Sequence, residues 1–283
     1  INQMIAGNYH HALVESEMPQ GFYLLIESER ILLPGNKAPS GLKINDKIKV
    51  FVYHDNKGRL IATTQKAKVT VNHFAILRVK EVNPIGAFLD WGLDKDLFLP
   101  YKQQLGELQE NDMCVVYVVL DKLSNRLVAT EKIKSFLDLN TQGLRQNQKV
   151  ELAVYEVQPE YIDCLIDYRY TGRYYFQNQK EHFYIGDTFH GYIQSVREDN
   201  KVSLSLNPVG YRANIAQSNV ILEALKKADG FLAYGDFSEP QEINQAFGLS
   251  KKKFKQMIGH LFKKQIIYID SKGIYLNNKK NEH

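Results

Sequence analysis

Four short phrases occur twice in this chain, in the same order and at nearly the same spacing. Gly21-Phe22 returns as Gly86-Ala87-Phe88, and Leu32-Leu33-Pro34 as Phe98-Leu99-Pro100. Asn45-Asp46-Lys47-Ile48-Lys49-Val50 returns as Asn111-Asp112-Met113-Cys114-Val115-Val116, and Arg59-Leu60-Ile61-Ala62-Thr63 as Arg126-Leu127-Val128-Ala129-Thr130. The offsets run from 65 to 67 residues. A third copy is looser. Gly186-Asp187 and Lys201-Val202-Ser203-Leu204-Ser205 follow their counterparts at 75 residues. A fixed period of this size makes each copy one structural module. We therefore divide the chain into modules at 1–66, 67–138 and 139–211, followed by a different segment at 212–283.

Each module reads as β. In the second, Phe74–Val82, Ala87–Trp91, Leu97–Leu99, Met113–Leu120 and Arg126–Thr130 are rich in β-branched, aromatic and alternating apolar residues. Turn signals separate them at Asn83-Pro84, Gly92, Gly106 and Asn111-Asp112. Five short strands fit an OB-fold barrel, which closes on itself and leaves no free sheet edge. The first module lacks a clear opening strand in the sequence. The stretches 66–72 and 131–144 read as linkers or short helical joints.

The last segment switches period. Ser218 is placed to cap a helix over Asn219–Lys227 that stops at Gly230. Ser238-Glu239-Pro240-Gln241 has the pattern of a capping box for a short helix ending near Gly248. Ser250 precedes a third helix, Lys251–Lys264, with Phe254, Met257, Ile258, Leu261 and Phe262 on one face. Ile266–Ile269 and Ile274–Leu276 flank the turn Asp270-Ser271-Lys272-Gly273 as a hairpin. Three helices and a hairpin define a winged helix. The fold class is thus mainly β with a C-terminal α+β domain: three tandem five-stranded OB-fold barrels, then a winged helix.

Charge separates the same two regions. Residues 217–283 carry 11 Lys against 7 Asp and Glu, while the preceding residues balance at 25 each. The whole excess of +4 lies in the last quarter, which points to an anionic partner there. No apolar run approaches the roughly 20 residues of a membrane span. The first residues, INQMIAGNYHHA, lack the basic start and apolar stretch of a signal peptide. Cys114 and Cys164 lie in separate strand-like runs and read as unpaired core residues of a reducing compartment. A cytoplasmic protein is the expectation.

The phrase from Val82 through Gly86-Ala87-Phe88-Leu89-Asp90, followed by Phe98-Leu99-Pro100, Asp112, Val118, Asp121 and Arg126-Leu127, resembles the "S-one" type OB-fold RNA-binding domain. Val196–Leu206 resembles its closing strands. Three such modules before a winged helix resemble the bacterial conserved virulence factor B family. That resemblance implies a cytoplasmic regulatory RNA-binding protein without enzymatic activity, with single-stranded RNA the expected partner; the alternatives are a DNA-binding transcriptional regulator acting through the winged helix and a protein-interaction scaffold with degenerate OB-folds.

On an OB-fold, exposed aromatics stack on bases while cations hold the backbone. The candidate binding residues follow from that division. In the second module they are Phe88, Trp91, Asp121 and Arg126, although Ile85 and Pro100 stand where the family often has an aromatic and a histidine. In the first module they are Phe22 and Arg59. In the third they are Lys201 and, within the Tyr168–Phe176 run, Arg169, Tyr170 and Arg173, where guanidinium planes and rings alternate. In the winged helix they are Lys251, Lys252, Lys255, Lys263 and Lys272. Cations at a helix N-terminus oppose the macrodipole, so the crowding of Lys251, Lys252, Lys253 and Lys255 there suggests a use in holding phosphates of a strand or of duplex DNA or RNA, with Lys263, Lys264 and Lys272 extending the patch. No phosphate-binding loop, Cys-x-x-Cys or His-x-x-x-His spacing is present. No metal or cofactor is expected.

Overall fold

A computed structural model describes residues 6–177, 181–209 and 211–277. The chain forms two compact units, Ile1–Leu206 and Asn207–His283.

The first unit holds three closed five-stranded barrels. The first comprises β1 (Asn8–Met18), β2 (Gly21–Ile26), β3 (Glu29–Pro34), β4 (Lys47–His54) and β5 (Leu60–Thr63). The second comprises β6 (Phe74–Asn83), β7 (Gly86–Asp90), β8 (Leu97–Pro100), β9 (Met113–Asp121) and β10 (Arg126–Thr130). The third comprises β11 (Lys149–Val157), β12 (Tyr161–Ile166), β13 (Tyr170–Tyr175), β14 (Thr188–Val196) and β15 (Val202–Ser205). In each, the strands neighbour one another in the order first, second, third, fifth, fourth, and the third and fifth run parallel. The first barrel does have an opening strand. The 11-residue β1 has a weak sequence signal because a bulge between Val14 and Ser16 breaks its alternation.

The repeated Asn-Asp phrase has a structural cause. Asn45, Asn111 and Gly186 all take positive φ, at 71°, 74° and 92°, which Asn and Gly tolerate best. Each donates its backbone N–H to strand one of its barrel, at Val14, Val79 and Val154, and these residues donate back to Asp46, Asp112 and Asp187. The Asp carboxylate then accepts the amide three residues earlier, from Lys43, Gln109 and Tyr184. The reciprocal backbone pairs meet strand one at its bulge, which falls at Val14/Ser16, Val79/Glu81 and Val154/Glu156.

The barrels share walls. Phe51 and Tyr53 of β4 join the core of the second barrel together with Ala67, Val69, Val71 and Trp91. Ile133 and Leu137 join Val115 to Ala153, Tyr155 and Leu165 between the second and third barrels. Ile133–Phe136 is a short 3-10 turn in that joint, and Phe136 stacks on Tyr117 at 4.1 Å. Both cysteines are free and fully buried. Burial pushes the Cys164 thiol up to about 12.

The second unit has three helices and a three-stranded sheet. They are α1 (Tyr211–Lys227), β16 (Phe231–Leu232), α2 (Pro240–Phe247), α3 (Lys251–Lys263), β17 (Ile267–Ile269) and β18 (Ile274–Leu276). Helix α1 starts well before the expected cap. Ser218 lies inside it, buried, with its hydroxyl 3.2 Å from the Met257 sulfur. The α2 cap is one residue later than its sequence pattern. Glu239 is the N-cap and Pro240 takes N1, where its missing N–H costs nothing, while Ser238 accepts from Gly235 instead. In α3 the stripe Phe254, Met257, Ile258 and Leu261 is buried, but Phe262 is 49% exposed, because it falls beside that stripe rather than on it. Ser250 caps α3 by accepting the Lys253 amide. The two-residue strand β16, pairing with β18, was not legible in the sequence.

Candidate nucleic-acid interface

Register relates the outer faces of the three barrels to one another. In the second barrel Phe88 sits opposite Phe98, and Phe98 beside Val128. Their neighbours Ala87, Leu89, Leu97 and Leu99 point into the core, so these three point out, half-buried, with the two rings 5.2 Å apart. The same positions in the first barrel are Tyr23, Leu32 and Ile61. In the third they are Asp163, Arg173 and Ser203.

This register corrects the assignment of Phe22. The structural equivalent of Phe88 is Tyr23, and Phe22 matches the buried Ala87, so its ring packs on the first barrel's core. Tyr23 carries the Arg30 guanidinium 5.0 Å above its ring. Gly21 and Gly86 start their strands where a Cβ would meet the Leu33 or Leu99 carbonyl at 2.2 or 2.3 Å. Such close approach requires glycine.

Around the second barrel's row lies a groove of about 1070 Å³. Phe88, Phe98 and Val128 line it, with Ile85 at 65% exposure, Lys102 and Arg126. It continues to the end of β4 in the first barrel, at His54, Asp55 and Asn56. Arg126 is exposed and reaches over Gly58, in the β4–β5 turn, where a Cβ would come within 3.3 Å of it. Asp121 does not pair with it. Its carboxylate accepts from the Ser124 amide and hydroxyl, which hold it below its ordinary range and shape the turn.

Trp91 is no stacking platform. It is 2% exposed, its Nε1–H donates to the Lys95 carbonyl at 2.6 Å, and its ring meets Phe51 and Tyr53 edge-on at 5.7 and 6.3 Å. A bulky ring at the joint of two barrels is worth more as shared core than as surface.

The remaining candidates are on the surface, and most are paired. Arg59 forks onto Asp55 at 2.9 and 2.7 Å. Arg169 binds Asp138 and lies 5.0 Å over the Tyr170 ring. Arg173 makes two bonds to Asp163, at 2.7 and 2.9 Å, and these raise its pKa above the ordinary arginine range. Its guanidinium sits 3.7 Å over Tyr161 and 6.0 Å from Tyr175. Those tyrosines occupy the Gly-Pro positions of the other barrels, so the third barrel replaces an aromatic pair with a clamped arginine between rings. Lys201 pairs with Asp199 at 3.1 Å. In the second unit, Lys252, Lys255 and Lys263 are exposed and recur at helical spacing along one side of α3, and Lys255 meets Asp236 at 3.1 Å. Lys251 is half-buried, and Lys272 is exposed in the β17–β18 turn.

Phe98, Tyr161, Lys95 and His54, which the structure adds to this face and its margin, were not singled out in the sequence. Phe98 was recoverable, because Leu97 and Leu99 flank it in an alternating strand. Nothing links His54 to Lys95 before folding, since they lie in different modules.

The fold and this face define a class: a nucleic-acid-binding protein of tandem S1 domains closed by a winged helix. Residues 6–65 and 73–132 match the S1 domain family, and residues 219–276 match the CvfB-like winged helix domain. Conserved virulence factor B of Staphylococcus saprophyticus is 27% identical over 84% of this chain and 82% of its own. The uncharacterized protein YitL of Bacillus subtilis is 25% identical over 93% and 90%. A crystal structure described as a multidomain protein with nucleic acid binding domains, from Streptococcus pneumoniae, aligns over 97% of this chain and 99% of its own, at 24% identity and a TM-score of 0.47. The chain belongs to the conserved virulence factor B family. Among the described residues, no helix is long and apolar enough to cross a membrane.

Proposed function

We infer that this is a non-enzymatic single-stranded RNA-binding protein, acting as a bacterial post-transcriptional or virulence-related regulator. The observation that carries the reading is the outward row Phe88, Phe98 and Val128, set in an open groove beside Arg126 and Lys102, which have no ion-pair partner among the described residues. Rings with free faces stack on any base, and adjacent cations hold the phosphates. Duplex geometry hides its base faces, so such a row favours single strands. The regulatory role draws on the naming of the staphylococcal relatives as virulence factors. The absence of catalysis draws on both matched domain classes being binding modules.

The test is fluorescence anisotropy of the intact protein with a short single-stranded RNA, its DNA equivalent and a DNA duplex across a salt series. Preference for the single-stranded RNA, weakening steeply with salt, is the expected result. The exposed lysines of α3 favour a second reading, duplex recognition through the winged helix. That reading predicts duplex preference that survives removal of residues 1–210.

A further inference from the structure

The groove does not end on the second barrel. Where it crosses to the first, Lys95 Nζ donates to the carbonyls of His54 and Asp55, at 2.9 Å each. Two donors are thereby fixed, and an ammonium has three. Arg126 lies beside the same turn. The carboxylates lining this part of the groove are occupied: Asp55 by Arg59, Asp94 by Lys37, Asp96 by Lys80, and Asp121 by Ser124. The remaining one, Glu81, stands across from Phe88 on the aromatic face. Among the described residues, Lys95 and Arg126 have no carboxylate partner within ion-pair distance. His54, 8% exposed, is also there, and among the described residues its buried Nδ1 has no hydrogen-bond partner. Two cations without an ion pair, Lys95 with one N–H still to place, stand together at the joint of two barrels, and the group that complements them is an anion.

We propose that the seam is a phosphate subsite built by both barrels, in which Lys95 and Arg126 receive one phosphodiester of the strand lying on Phe88, Phe98 and Val128, with the His54 imidazole packed behind them. This rests on the strand-binding reading above and extends it, because the first barrel becomes part of the site.

A proton is linked to occupancy. Burial first, then Lys95 and Arg126, hold His54 below the ordinary histidine range, while Asp55 acts weakly the other way. A phosphate offsets the two cations, so seating it raises the His54 pKa, and the imidazole takes one proton from solvent. A group whose pKa is higher in the complex favours the complex as pH falls. Affinity therefore rises as pH drops from above the ordinary histidine range toward the lowered value of the free protein.

The experiment uses the intact protein with a dodecauridylate, and separately with inorganic phosphate. Imidazole NMR of His54 is followed against pH, free and bound. Anisotropy is measured across pH and salt for the wild type, His54→Gln and Arg126→Gln. The expected result is an upward move of the His54 titration with the oligonucleotide, and a pH dependence that shrinks in His54→Gln. Arg126→Gln should lower the salt slope by about 0.7. Arg126 is exposed and the NMR needs no variant, so neither readout depends on His54→Gln folding. Binding retained with an unmoved His54 titration and unchanged slopes would overturn the subsite while leaving the aromatic face intact. An equal response to inorganic phosphate would overturn its assignment to a strand. No binding of the oligonucleotide by the wild type would overturn both readings.

Discussion

Phe88 and Trp91 lie three residues apart, and the sequence offers both as aromatics for stacking. Folding sends one ring outward into the groove and the other into the seam. Their substitutions should therefore separate cleanly. Phe88→Ala should weaken single-strand RNA affinity by about 1–3 kcal/mol, the worth of one base stack, with an unchanged chemical-unfolding midpoint. Trp91→Ala should instead destabilise by about 3–5 kcal/mol, because it empties a ring-sized space between Phe51 and Tyr53. Urea unfolding followed by circular dichroism measures that loss. The difference was not legible from residue type. It follows from strand period: Ala87 and Leu89 face the core, so Trp91, two residues on, falls on the inward side, and Phe88 on the outward one. Phe22 was misplaced for a related reason. Aligning it with Phe88 by aromatic identity ignored a one-residue offset that the register with β3 settles in favour of Tyr23.

At the scale of elements, the repeat was the most legible feature because its most faithful phrases are geometric requirements. The Asn-Asp step recurs where the chain turns through positive φ and closes onto the bulge of strand one. Replacing Asn111 by Val puts a β-branched side chain in the left-handed region, which costs roughly 1–2 kcal/mol, whereas Asn111→Gly should be close to neutral. Thermal unfolding of the two variants tests this, and equal midpoints would mean the turn does not set the barrel's register. Elements without such a requirement were read less well. Helix α1 was cut short because Ser218 looks like a cap, yet its hydroxyl turns to Met257 inside a longer helix. The bulged β1 and the two-residue β16 carry too little pattern to be seen before their partners are in place.

For the whole molecule, the proposed function requires two units with different chemistry to share one ligand class. The barrels carry balanced charge and spend most of their arginines on fixed carboxylate pairs, so on the proposed reading their contribution rests on the ring row and the cations that line its groove. The winged-helix unit differs in charge: it has excess lysine, with Lys252, Lys255 and Lys263 on one side of α3, and its own rings Phe231, Tyr275 and Tyr268 meet across β16, β18 and β17. Such a side supplies affinity through counterion release, which reads no sequence but sets the salt dependence. Two modest sites on one chain act together through effective concentration, so losing the lysines should weaken binding without abolishing it. Changing Lys251, Lys252 and Lys255 together to Glu should lower the slope of log affinity against log salt by up to about 2 for a single strand. Among single alanine variants, Lys252 should matter more than Lys255, whose charge already faces Asp236. Anisotropy across a salt series measures both effects. A slope that survives the triple change would assign the electrostatic part of binding to Arg126, Lys95 and Lys102 in the barrels, and leave the basic helix to a different partner.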